Sequence, residues 1–158
     1  MKTWSKKKKI LIALLLLFIT AQAIRPAKNA DNSSGPQDVT TVVRVPDSLM
    51  TLLKNSCYDC HSNHSDYPWY DQIAPVSWWV SNHINEGKRE LNFTQFGSYT
   101  PKKMAHKMEE IAKTVEKDEM PISSYLWIHG NARLTAEQKS AIISWAKAAQ
   151  KALQPEVP

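Results

Sequence analysis

The chain contains two cysteines, and both stand in the stretch Cys57-Tyr58-Asp59-Cys60-His61. Two thiols three residues apart at a helix start project to one side, and a histidine follows the second directly. Thiols at that spacing can add across the two vinyl groups of a porphyrin to give thioethers. The imidazole then falls beneath the iron as proximal ligand. Cys-x-x-Cys-His is therefore a signal of c-type haem attachment, with one haem c bonded to Cys57 and Cys60 and its iron on His61. Other chemistries draw on the same residues. A thioredoxin-type redox pair needs a βαβ setting, of which the sequence shows no sign. A zinc site can use Cys57, Cys60 and His64, but the second ligand pair of an ordinary finger is missing. A plain disulfide suits an oxidising compartment.

An iron centre of this kind usually takes a second axial ligand. The best candidate is Met120, in Asp118-Glu119-Met120-Pro121. It follows a helical stretch and enters a loop fixed by proline, between acids and a proline where a core methionine is out of place. A thioether on iron stabilises the ferrous state and raises the potential. His83 is the main rival, and His129, Met104 and Met108 come behind it. Trp69, Tyr70, Trp78, Trp79, Tyr125 and Trp127 are dense for so short a chain and could supply flat apolar walls and N–H or O–H donors. Trp78 and Trp79 point about 100° apart on a predicted helix, so at most one of them, taken as Trp79, faces the cofactor squarely. Asn82, Lys88 and Arg89 are candidate contacts for its propionates.

These residues need helices to position them, and the apolar pattern supplies a helical period almost throughout. Pro46-Asp47-Ser48 opens a predicted helix with Leu49, Leu52 and Leu53 leading to Cys57. A second stripe runs Val76, Trp79, Val80, His83, Ile84 and Gly87. Thr100-Pro101 starts a third helix, with Met104, Met108, Ile111, Ala112 and Val115 along one side. Thr135 and Gln138 form a capping box ahead of Ile142, Trp145, Ala146, Ala149 and Leu153. The expected fold is all-α. Residues 46–153 form the haem-binding domain, and residues 25–45, rich in Ala, Asn, Ser, Pro and Gly, read as a flexible linker. Within it, residues 40–45 suit a short extended piece.

Residues 1–24 read as a targeting segment. Lys6 to Lys9 precede the unbroken apolar run Ile10 to Ile19, and Ala21-Gln22-Ala23 offers a small-residue cleavage pattern. The run is short beside the 20 or so residues of a full span. Removal as a signal peptide and retention as an inner-membrane anchor through residues 10–24 are both open. Lysines on the N-terminal side put the rest of the chain outside the cytoplasm either way, in the periplasm.

The net charge of +5 is misleading. Of 20 basic side chains, five precede residue 10, which leaves 15 against 15 acids. No basic patch remains to contact phosphates, so a nucleic-acid partner is excluded. The same neutrality speaks against a strongly steered protein partner.

A helix ending in Cys-x-x-Cys-His, a late Met-Pro loop and a closing amphipathic helix together resemble the cytochrome c fold. More specifically, CYDCHSNHSDYPWYDQIAPVSWWVSNHINEGKRELNF (57–93), EMPISSYLWIH (119–129) and LTAEQKSAIISWA (134–146) resemble a family of exported haem-binding-domain proteins of Bacteroidetes-type bacteria. The resemblance implies a covalent c-type haem, His61 as proximal ligand and Met120 at the matching Met-Pro position. The Trp-rich segment with His83 departs from a simple cytochrome c layout on the distal side. The expected function is haem binding with one-electron transfer between redox partner proteins, a non-enzymatic role favoured over an enzymatic one that stays open. The alternative is a haem peroxidase or a gas or redox sensor, with an open or weakly held distal site near His83.

Overall fold

Polar caps fix where several of the helices begin. The computed structural model describes residues 4–31 and 35–154. The Ser5 hydroxyl accepts from the Lys8 N–H and opens α1 (Lys6–Ala21), none of whose side chains is buried. The Asp38 carboxylate accepts from the Thr40 N–H and opens α2 (Val39–Val42). Then come α3 (Asp47–Ser56), α4 (Tyr58–His61) and α5 (Val76–Glu90). Thr100 caps α6 (Pro101–Glu116) by accepting from the Lys103 N–H. A short α7 (Ser123–Leu126) follows, and α8 (Ala136–Leu153) closes the fold. The Thr135–Gln138 capping box is formed in both directions. The described residues are all-α, with no strand beyond an isolated bridge between Ala30 and His64. No helix among them is long and apolar enough to cross a membrane.

The core forms where amphipathic faces meet. α6 and α8 make the most extensive helix pair. The predicted stripe of α6 is buried in full, at Met104, Met108, Ile111, Ala112 and Val115. It meets Ile142, Ala146 and Ala149 of α8, with Leu49 and Leu53 of α3 and with Phe93 and Phe96 from the 3₁₀ turn Phe93–Ser98. Each fully buried side chain of this size contributes about 1.5–3 kcal/mol relative to exposure. Trp145 and Leu153 lie at the edge of this core, and the Trp145 indole donates to the Arg44 carbonyl at 3.0 Å.

The stretch 25–45, expected as a flexible linker, is held against the domain where it is described. Val39 is fully buried and Val43 nearly so. The Gly97 N–H donates to the Gln37 carbonyl at 2.8 Å. The Asn29 amide donates to the Ser62 carbonyl at 2.9 Å and to the Ser65 hydroxyl at 2.8 Å, and the Asn29 N–H donates to the Tyr67 hydroxyl at 2.8 Å. Val39 and Val43 supply an apolar face that composition averages conceal. The buried Asp38 cap turns Val39–Val42 into a helical turn where an extended piece was expected.

Candidate functional site

The motif folds as its own turn of helix. Cys57 ends α3 by donating its N–H to the Leu53 carbonyl at 2.8 Å, and its backbone leaves the helical region (φ −132, ψ −40). Its carbonyl then accepts from the Cys60 N–H at 3.2 Å and the His61 N–H at 2.9 Å, which makes α4. α5 packs directly on this turn, with Gly87 at the closest approach. The Tyr58 ring stacks on Phe93 with centroids 5.1 Å apart.

The turn forms the floor of a cleft with three adjoining lobes. One, of about 260 Å³, is lined by Cys57, His61, Leu91, Phe93, Lys107, Ile111 and Met120 among others. The next, of about 370 Å³, shares Cys57, His61 and Met120 and adds Cys60, His83, Pro121 and Tyr125. The third, of about 70 Å³, runs from Cys60 and His83 to Trp79, Tyr70, Tyr125 and His129. Cys57, Cys60, His61, Met120, Trp79 and His83 thus lie along one connected cleft, mostly apolar and of a size usual for small-molecule sites.

Three histidines in it have a defined tautomer, and two of them keep Nε2 unengaged. Nδ1 of His61 lies 3.0 Å from the Leu91 carbonyl oxygen. A carbonyl can only accept, so Nδ1 carries the proton and Nε2 keeps its lone pair, the arrangement usual for a metal-ligating imidazole. Burial pushes the His61 ring below its ordinary pKa, which favours the neutral form a metal needs. His83 repeats the pattern more weakly, with Nδ1 2.9 Å from the Trp79 carbonyl oxygen and Nε2 left over. His129 has no nitrogen to spare. Its Nδ1 faces the Tyr125 carbonyl at 3.1 Å, and its Nε2 is engaged by the Tyr70 hydroxyl at 2.9 Å.

Both cysteines are unpaired, and both thiols resist ionisation. Burial, then the neighbouring Cys60, pushes Cys57 up to about 12. Burial, then Asp59 and Asp71, pushes Cys60 up to about 11. A dithiol built for disulfide exchange needs the opposite shift. His64 lies away from the pair, half-exposed, with Nε2 3.6 Å from Asp66. Among the described residues no group of three His, Cys, Asp or Glu side chains is placed to hold a metal ion.

Met120 reaches the cleft on a tight loop. Asp118 takes a left-handed backbone (φ 58) after α6, and the Glu119 and Met120 N–H groups both donate to the Thr114 carbonyl, at 2.9 and 3.3 Å. Met104 and Met108 are packed in the core. The aromatic residues divide. Tyr70, Trp79 and Tyr125 line the cleft, whereas Trp69 and Trp127 are 75% and 81% exposed. Trp78 turns away and donates to the Ile24 carbonyl at 2.8 Å. Lys88 bonds Asn29, Asn82 bonds Glu86, and Arg89 lies 4.0 Å from Glu90. The ion group that does line the cleft is another one, in which the nearly buried Lys107 lies 2.6 Å from Glu110 and 3.8 Å from Glu90. His61, Met120 and the two thiols thus share a mainly apolar cleft wide enough for a flat cofactor.

No curated protein and no solved structure matches the chain. The model of one family, described as "Haem-binding domain", matches residues 16–148. With the two thiols, the poised imidazole and the apolar cleft on one floor, that match assigns the chain to the haem-binding domain family.

Proposed function

We propose that the chain is an extracytoplasmic single-haem c-type protein that passes single electrons between redox partners. The carrying observation is the His61–Leu91 contact, which leaves Nε2 of a buried neutral imidazole bare in the same cleft as Met120 and two unpaired thiols. In this reading Cys57 and Cys60 would hold the group covalently, and His61 and Met120 would be the side chains that bind its iron. When bound, the group supplies a one-electron ferric–ferrous couple. The protein's part would be to hold the iron from His61 and Met120 so that little moves on electron transfer, and to exclude water with Leu91, Phe93, Ile111, Pro121 and Trp79.

A second reading rests on His83. It lines the largest of the three lobes with Nε2 free, where it could hold or donate a proton beside a weakly held distal position. That is the arrangement of a peroxidase or a gas or redox sensor.

Expression in a host that matures c-type haem separates the two. Under the first reading, intact mass exceeds the polypeptide by one haem, and the ferric spectrum carries the weak far-red band of methionine ligation. Met120→Ala abolishes that band, whereas His83→Ala leaves it. Rapid carbon monoxide binding by the reduced wild type supports the second reading instead. Bare polypeptide mass and no Soret absorption overturn both.

A further inference from the structure

Beyond the cleft, a strip of exposed apolar side chains continues the surface of α1. Two hydrogen bonds join the Gln22 side chain to the Ala74 backbone, with Oε1 accepting from the N–H at 2.9 Å and Nε2 donating to the carbonyl at 3.3 Å. The Trp78 indole donates to the Ile24 carbonyl at 2.8 Å. The end of α1 is thereby fixed to the start of α5. From that junction Val76 and Trp79, 39% and 47% exposed, lead across the small lobe to Ile128, which is 62% exposed. Trp127 adjoins Ile128, and Trp69 adjoins Tyr70 of the same lobe.

Stretches 68–80 and 122–130 hold no lysine or arginine, and their single acid, Asp71, is buried. The lobe also carries the exposed Asp66 at its edge, yet monomeric proteins seldom leave this much tryptophan and isoleucine in water. Tryptophan beside an apolar helix is the composition of a membrane interface. The length of α1 points the same way. Past its four lysines, the stretch from Ile10 to Ala21 spans about 18 Å, against about 30 Å of hydrocarbon, and a short segment is accommodated by drawing its flanks towards the apolar layer.

We propose that α1 is retained and lies in the bilayer, and that the face carrying Trp69, Val76, Trp79, Trp127 and Ile128 rests in the lipid interface beside it. Cleavage after Ala23 would sever Gln22 from Ala74. The family match itself begins at residue 16, inside α1. Lys6 to Lys9 at one end of α1, and Arg25 and Lys28 just past the other, lie within reach of lipid headgroups. The cleft mouth near Trp79 and Ile128 then lies close to the membrane surface. This inference stands whether or not the cleft holds haem.

The test uses the full chain in nanodiscs of phosphatidylethanolamine and phosphatidylglycerol that include an acyl-chain diazirine lipid. After illumination, lipid adducts are mapped by peptide mass spectrometry. Adducts are expected on α1 and also on the peptides bearing Trp69, Trp79 and Trp127–Ile128. They should be lost from the last of these in Trp127→Ser/Ile128→Ser, a pair so exposed that helix content by circular dichroism stays unchanged. Adducts confined to α1, or spread equally over α8, overturn the proposal. So does an intact mass showing that the mature chain starts at Ile24.

Discussion

A Cβ placed on Gly87 would stand 2.6 Å from the carbonyl oxygen of Cys60 and 3.1 Å from its Cβ. Helix α5 therefore rests on the motif turn with no room for a methyl group, and the obstacle is backbone, which cannot swing aside. Gly87→Ala should cost about 1–3 kcal/mol, through displacement of α5 that outweighs any gain in helix propensity. Thermal unfolding followed by circular dichroism would show a midpoint several degrees lower. An unchanged midpoint would mean that the two segments do not touch this closely.

Tyr125 ties α7 to the motif by donating its hydroxyl to Asp59 at 2.6 Å, while its ring stacks on His129 with centroids 4.0 Å apart. Burial, then the Asp59 bond, holds the phenol well above its usual pKa, so it stays a donor at any physiological pH. Tyr125→Phe keeps the stack and removes only the donor. A loss of about 1.5–3 kcal/mol in a urea titration is expected, the range for a hydrogen bond to a charged group.

Asp71 is buried, and its Oδ1 has no hydrogen-bond partner. Burial raises its pKa, with His129 opposing the shift. In the window above the unfolded value of about 3.9 the native state therefore binds more protons than the unfolded chain, so this residue costs stability as pH rises. Asp71→Asn should stabilise the protein at pH about 7, and the gain should vanish below pH about 4. A pH-independent effect of the substitution would show that the charge is not what matters.

Val39 tests whether the stretch before the domain belongs to it. Its side chain is fully buried against the core. Val39→Ala should cost about 1–3 kcal/mol, whereas an alanine in a mobile linker would cost nothing measurable. Chemical denaturation at equilibrium decides between them.

The sequence was legible where a local rule is enough. The period of α6, the Thr135–Gln138 box and the Cys-x-x-Cys-His turn are each set by residues a few positions apart, and each stands where the spacing puts it. Contacts made by backbone across long separations were not legible. No side-chain pattern marks Leu91 as the residue whose carbonyl orients His61, and Gly87 could be read only as one more member of a stripe. Residues 25–45 were misleading because polar composition dominates them, while the Asn29 bonds and the burial of Val39 depend on partners dozens of residues away. Among the aromatics, type alone did not separate the cleft walls Tyr70, Trp79 and Tyr125 from the surface residues Trp69 and Trp127. Trp78 and Trp79, about 100° apart on α5, meet different surroundings, the Ile24 carbonyl for one and the cleft wall for the other.

The Met120 loop hangs from Thr114 at the end of α6, which α8 braces, whereas the thiols and the His61 imidazole ride on α3 and α4, against α5. The cleft thus has two banks, which share the core beneath it, and the chain crosses from one to the other through residues 91–100. Anything gripped from both banks acts as a strut, adding rigidity across a joint that the core alone closes on only one side. Filling the cleft should therefore stiffen the two banks against each other at its mouth, above the core of α3, α6 and α8 that already joins them beneath.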